Sequence, residues 1–453
     1  MKRSERTNKK FHPAMFLQTV IISMILSLSF ATPAFGAPAG NESGFDGSVQ
    51  GTEDNPAEAA ITKVLEIPAG TPAPDAQFVF TVEAYELNGS HDKKDVATMP
   101  TVGDDGTVTI DLSDDAYVET GDTVVRIMKE SDSLFSDVAW THTGVYTYKV
   151  TEQKNTYECS DSKPIEYMSY SEGVYLLSVY VNRSSSGNLF VEYIEAIIDT
   201  PDNDSQDGDE TAKVDPTPGG EDAEGDFSKL VFTNSYYVVN TPDTPDPTSD
   251  GVLTISVELD GDLADPFEYF NFDVVVSNPA TIVDPSRVYT AYVVDANGIV
   301  AKLAAGQAPA GTVFSDGTND YIEFTTGTPL RIQLKEGQVL TFIDLPIGSA
   351  FHVEVVNPKN YTARYVVTIN GDEVEKHSAE AAGDSLGFTQ HFLTGETANS
   401  VVFTHTYRDI NPMGIAIDDL PYLMLLGVAL LGLSSFIAFF IIKNREAQEQ
   451  TRA

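Results

Sequence analysis

The sequence predicts an all-β chain of two sandwich or barrel domains, with an N-terminal signal peptide and a C-terminal transmembrane helix. Three observations carry that prediction. Short period-two runs recur between residues 57 and 407, cut by Gly, Asp, Asn and Pro. Side chains two apart share one face of a strand, so such runs read as half-buried strands. No long segment between the two ends holds a helical period. The 42% hydrophobic content is ordinary for a folded chain, so the net charge of −41 belongs to a folded surface rather than to a disordered acidic tail. At about 100–200 residues per domain, 453 residues hold two or three domains.

The acidic balance excludes nucleic acid as a partner, because phosphates would be repelled. It also keeps an exported protein soluble. Export is read from residues 1–36, where Lys2, Arg3, Arg6, Lys9 and Lys10 precede an apolar run from Met15. Ala34-Phe35-Gly36-Ala37 supplies the small residues of a cleavage site. Residues 37–56, rich in Gly, Asn, Asp and Pro, read as a flexible leader. At the other end, residues 420–442 carry no charge and are long enough to span a bilayer. Lys443 and Arg445 place residues 443–453 inside, leaving everything before the span at the cell surface. Cys159 is the only cysteine, so no intramolecular disulfide stabilises the exported part.

The first β domain spans 57–238. Its strands are read at 61–67, 77–82, 107–110, 144–152, 174–181, 189–198 and 230–236. Residues 200–227 form an acidic loop. A calcium site there would use Asp202, Asp204, Asp207 and Asp209, but their spacing lacks the Gly and Glu of an EF-hand, which favours a solvated loop. Residues 239–250 are a Pro-spaced, semi-stiff linker. The second β domain spans 251–408, with a hairpin turn at Asp295-Ala296-Asn297-Gly298 and further strands at 339–343 and 351–356.

The period-two rule isolates three residues. In Ile61-Thr62-Lys63-Val64-Leu65-Glu66-Ile67, Lys63 shares a face with Ile61, Leu65 and Ile67. Glu152 shares one with Tyr146, Tyr148 and Val150, and Asn234 with Leu230, Phe232 and Tyr236. Burying each polar group alone would cost roughly several kcal/mol. Together they can react. Desolvation neutralises the amine and keeps a proton on the carboxyl. Lys63 Nζ can then attack the Asn234 side-chain carbon, with Glu152 hydrogen-bonding the asparagine carbonyl and shuttling the proton. Ammonia leaves, and an amide joins first strand to last. The competing reading is a buried Lys63–Glu152 ion pair capped by Asn234, or a bulge that turns Lys63 to solvent.

ITKVLEIPAGTPAPDAQFVFTV, GVYTYKVTEQ and LVFTNSY carry a family likeness. Residues 57–237 resemble the isopeptide-forming Ig-like domain of streptococcal backbone pilins and related Gram-positive surface proteins. The resemblance implies an Ig-like β-sandwich in which Lys63 and Asn234 are the cross-linked pair and Glu152 the catalyst.

The second domain resembles an Ig-like repeat of the same surface proteins, carried by GVLTISVELDGDLADPFEYFNFDVVV, LTFIDLPIGSAFHVEVV and VVFTHTY. Val257 stands where the lysine is expected, Val355 where the glutamate is expected, and His405 in the place of the asparagine. Losing both charges together can be neutral, whereas losing one is not. No cross-link is expected there, and His405 reads as a satisfied core or rim histidine. Val356-Asn357-Pro358-Lys359-Asn360 faintly resembles the polymerising-lysine motif of some pilins, but reads first as a plain turn between two strands. Asn411-Pro412-Met413-Gly414 sits where a sortase signal belongs but lacks its threonine, which leaves wall attachment open.

Three function classes compete: a structural pilin-like subunit, a membrane-anchored adhesin that uses the sandwiches as a stalk, and an extracellular enzyme. The expected partners are the membrane, then a sortase and other pilus subunits for the first class, or a host or matrix ligand for the second. No turnover enzyme is expected, since no nucleophile–base pair is legible beyond the single-turnover triad. No cofactor or metal site is read.

Overall fold

The computed structural model describes residues 48–202, 212–219, 226–295, 297–407 and 420–450. The signal peptide, most of the leader, most of the acidic loop, Ala296 of the hairpin turn and the segment 408–419 with Asn411-Pro412-Met413-Gly414 lie outside them.

Among the described residues the chain is all-β apart from one short helix and one long C-terminal one. The first group of elements is β1 (Ser48–Gln50), β2 (Thr62–Pro68), β3 (Gln77–Leu87), α1 (Lys93–Val96), β4 (Thr107–Asp111), β5 (Tyr117–Thr120) and β6 (Val124–Glu130). It continues with β7 (Gly144–Glu152), β8 (Ile165–Ser169), β9 (Val174–Arg183), β10 (Leu189–Thr200), β11 (Lys213–Val214) and β12 (Val231–Val239). These form a seven-stranded sheet, β1-β10-β9-β7-β3-β4 with β11 on β10, and a five-stranded sheet, β5-β6-β2-β12-β8. Inward residues of both sheets make one core, including Leu65, Phe78, Phe80, Tyr146, Tyr148, Val150 and Phe232.

The first and last full strands, β2 and β12, lie side by side and parallel, with Phe232 opposite Lys63 and Asn234 opposite Leu65. A parallel pair needs a crossover, and here the crossover is almost the whole sandwich. The alternation that placed Lys63 inward holds only partly along β2. Thr62 and Val64 are buried as well. β2 is a central strand covered on both faces, and such strands lose the clean polar-out pattern.

The second group begins with β13 (Leu253–Asp260), β14 (Phe270–Ser277), β15 (Val288–Val294), β16 (Val313–Ser315), β17 (Asp320–Thr325), β18 (Leu330–Leu334) and β19 (Val339–Phe342). It ends with β20 (Ala350–Val356), β21 (Tyr361–Ile369), β22 (Asp372–Ser378), β23 (Leu386–Gly387), β24 (Phe392–Leu393) and β25 (Asn399–Tyr407). An eight-stranded sheet, β16-β17-β15-β19-β13-β25-β21-β22, packs with a five-stranded one, β18-β14-β20-β23 with β24 on β20. Again the first and last strands, β13 and β25, are parallel neighbours.

The two groups meet closely. Val239 bridges to Pro346, and the Ile347 N–H donates to Val238 O at 3.0 Å. Ile347 is buried among the first core rather than the second. Gly348 has φ +80°, and a Cβ there would lie 2.5 Å from Pro68 Cβ, so a side chain would push the junction apart. The last element is α2 (Leu420–Gln450), of which 424–445 are long and apolar enough to cross a membrane.

Candidate functional site

Lys63 enters the first core from β2, Asn234 from the neighbouring β12, and Glu152 from the end of β7 in the facing sheet. All three are buried, Lys63 completely. Lys63 Nζ donates to Glu152 Oε2 at 3.0 Å and lies 3.0 Å from Oε1. It also donates to the Phe232 carbonyl at 3.1 Å. Asn234 Nδ2 donates to Glu152 Oε1 at 2.7 Å. One carboxylate therefore holds both the amine and the amide.

The surroundings are aromatic. Nζ sits 4.6 Å from the Phe78 ring centroid. Phe232 packs against Phe80 and Tyr175, with ring centroids 5.0 and 5.2 Å away. Aromatic walls exclude water, and the charged forms of both groups lose hydration there. Burial pushes the Lys63 amine down from 10.5 to about 8, against the opposing pull of Glu152. Burial pushes Glu152 up, against the pull of Lys63 and Asn234. Both shifts favour passing a proton from Lys63 to Glu152. Lys63 does not reach solvent, so the bulged-strand reading is set aside.

One detail differs from the sequence-based expectation. There the Glu152 carboxyl bonds the asparagine carbonyl. In the structure Asn234 Oδ1 instead accepts the Ser171 main-chain N–H at 2.7 Å. A main-chain N–H only donates, so it fixes which end of the amide faces it. The Nδ2 end is thereby turned to Glu152.

Two neighbours were missed. Ser171 lies in the turn after β8, and its contribution is a main-chain group that no sequence pattern marks. Asp202, weighed above only as a calcium ligand, accepts the Thr233 N–H at 2.8 Å through Oδ2. Its negative charge also acts on Lys63 and Glu152. Among the described residues, no cluster of three or more His, Cys, Asp or Glu could hold a metal.

In the second sandwich Val257 lies opposite Phe403, and Leu259 opposite His405. This reproduces the pairing of Lys63 with Phe232 and of Leu65 with Asn234. Val355 lies opposite Phe272, as Glu152 lies opposite Phe80. His405 is fully buried, stacked on Phe270 at 3.9 Å between ring centroids. Neither ring nitrogen has a hydrogen-bond partner. The expectation of a satisfied histidine is corrected here: strand alternation places the ring inside but does not say what it meets.

Outside these two positions, Cys159 is a free, partly buried thiol. Lys359 stands in the turn between β20 and β21 and pairs with Glu268.

Residues 59–237 match the family model FctA, described as a Spy0128-like isopeptide containing domain. The first sandwich is similar to that family over this span, where the three motifs noted above lie. Among solved structures, a major pilin of Streptococcus pyogenes is 20% identical, with 78% of this chain and 99% of that one covered and a TM-score of 0.28. The major pilin T3.2 of Streptococcus pyogenes is 16% identical, with 80% and 100% covered and a TM-score of 0.28. No curated protein matches the chain.

Proposed function

We propose that this chain is a surface-displayed structural subunit of the pilus type, whose first sandwich is closed by an amide bond between Lys63 Nζ and Asn234 Cγ. The observation that carries the reading is the sharing of one buried carboxylate, Glu152, by the amine and the amide. A buried ion pair alone would be weak evidence for a function. Placing an amide within 2.7 Å of the same carboxylate supplies an electrophile and a leaving group.

The steps balance as follows. Lys63 passes a proton to Glu152, and the Nζ lone pair attacks Asn234 Cγ. The C–N bond forms, and the carbonyl π electrons move to Oδ1. The carbonyl reforms as the Cγ–Nδ2 bond breaks, and Nδ2 takes the proton from Glu152 to leave as ammonia. Nζ gives up a second proton, which ends on Glu152 or converts ammonia to ammonium. Holding the partners in one core replaces a bimolecular encounter with an intramolecular one.

The bond joins adjacent parallel strands near the point where the chain enters β2. A pull on the chain ends would pass from Lys63 into Asn234 and out along β12, bypassing the residues between. The apolar α2 would anchor the chain, with Lys443 and Arg445 inside. Association with other pilus subunits follows from this reading.

The test is the intact mass of the full chain in detergent. It is expected to fall short of the sequence mass, after signal removal, by one ammonia, and Glu152→Ala is expected to restore the full mass. A wild-type chain of full mass would sink the proposal.

A further inference from the structure

Attack on Asn234 drives negative charge onto Oδ1, so what faces that oxygen governs the rate. The only hydrogen bond described there is the Ser171 main-chain N–H, at 2.7 Å and buried. A fixed donor at that distance stabilises a developing oxyanion, and it needs no reorganisation when the charge appears.

The donor is held from two sides. Ser171 Oγ accepts the Gly173 N–H at 3.1 Å, which closes the turn. Asp202 Oδ1 lies 3.4 Å from the Glu172 N–H, and Oδ2 accepts the Thr233 N–H at 2.8 Å. Thr233 precedes Asn234 on β12. Asp202 thus ties the turn that carries the donor to the strand that carries the electrophile.

We propose that the 171–173 turn is the oxyanion-stabilising element of the cross-linking reaction, and that Asp202 is its positioning residue. This rests on the amide-bond reading above. In balance terms, Ser171 N–H keeps its proton throughout. It receives charge on Oδ1 when the new C–N bond forms and releases it when ammonia departs. Glu152 is left free to serve the nitrogen end, to which the amide is already turned.

The test follows the full chain made by cell-free synthesis into detergent micelles, with intact masses sampled over time at several pH values. Asp202→Asn keeps the size of the side chain but faces one N–H donor with an amide NH2. It is expected to lose ammonia about tenfold more slowly or worse, as a small misplacement of reacting groups does. Its rate–pH curve is also expected to move to lower pH. The charges facing Lys63 are Glu152 from β7 and Asp202 after β10, beside the Phe78 ring from β3. Removing Asp202 leaves less to hold the proton on the amine. A merely structural loss would lower the rate without moving that midpoint.

Ser171→Ala retains the N–H but opens the turn. It is expected to slow the reaction without moving the midpoint, and it decides the matter if Asp202→Asn does not fold. Variants that react at the wild-type rate overturn the clamp while leaving the cross-link standing. A wild-type chain that never loses ammonia overturns both.

Discussion

The two sandwiches share a frame and differ in what fills one spot. Each puts its first and last full strands side by side in parallel, in the same register. Each lays a phenylalanine against one of the three corresponding positions: Phe78 beneath Lys63, and Phe270 against His405, which stands in the place of Asn234. In the first, three polar groups satisfy one another. In the second, two valines replace the charged pair, and a histidine is left with both nitrogens unpartnered. The frame therefore does not require the triad in order to fold. The triad is an addition that the frame happens to orient, and the second sandwich shows its absence to be compatible with a complete core. Lysine and glutamate are both missing there, as expected if one charge cannot be kept buried without the other.

The largest consequence is mechanical. Pulling on the chain ends is expected to extend the second sandwich alone, because its parallel strands are joined only by hydrogen bonds. Single-molecule extension should show one unfolding event of roughly 500 Å, at about 3.3–3.6 Å per residue over 251–407. Glu152→Ala should add a second event of similar size. It also leaves the buried Lys63 with no carboxylate hydrogen-bonded to it, at a further cost of about 3–5 kcal/mol to the first sandwich. Two events from the wild-type chain would erase the distinction between the sandwiches.

A graft sharpens the comparison from the other side. Val257→Lys, Val355→Glu and His405→Asn together rebuild the triad on the second frame. If the proposed Lys63–Asn234 link forms, the product is expected to be short of two ammonia molecules in place of one, and the second link should form more slowly than the first, because no counterpart of the Asp202 clamp is grafted. By the chain-entropy reasoning used for disulfides, closing a loop of this length would stabilise the second sandwich by about 5 kcal/mol. Thermal unfolding would register that gain. A folded triple variant with only the native mass deficit would mean that inward facing and register are insufficient for the reaction.

Much of this is legible in the sequence. Lys63, Glu152 and Asn234 could be placed on one interior because side chains two apart share a face of β2, β7 and β12, although burial on both faces blurs the alternation of β2. The correspondence of Val257, Val355 and His405 came from the motif resemblance of the second domain. What stayed hidden has one physical cause: alternation gives the direction of a side chain, not its neighbours. The Ser171 donor is a main-chain group and leaves no trace in residue identity. Asp202 sits in an acidic stretch where a carboxylate looks solvated. The insertion of Ile347 into the first core, across what reads as a Pro-spaced linker, depends on a tertiary contact far from that linker in sequence.

The smallest expected effect concerns His405 and separates the sandwiches by pH. Burial pushes its imidazole down from 6.5 to about 4. The unfolded chain therefore takes up the proton more readily than the folded one between those values. The stability tied to the neutral ring is complete above about 6.5 and is lost as pH falls toward 4, up to about 3 kcal/mol for a shift of this size. The second sandwich should lose stability over that window, measured as a falling denaturant midpoint. His405→Leu removes the proton site and the unpartnered nitrogens together. It should flatten the pH dependence and raise stability by about 1 kcal/mol at neutral pH, set against the loss of the Phe270 stack. If the variant keeps the wild-type acid slope, the titrating group lies elsewhere. The histidine would then be an inert substitute for asparagine, and the contrast between the sandwiches would come down to the proposed covalent bond alone.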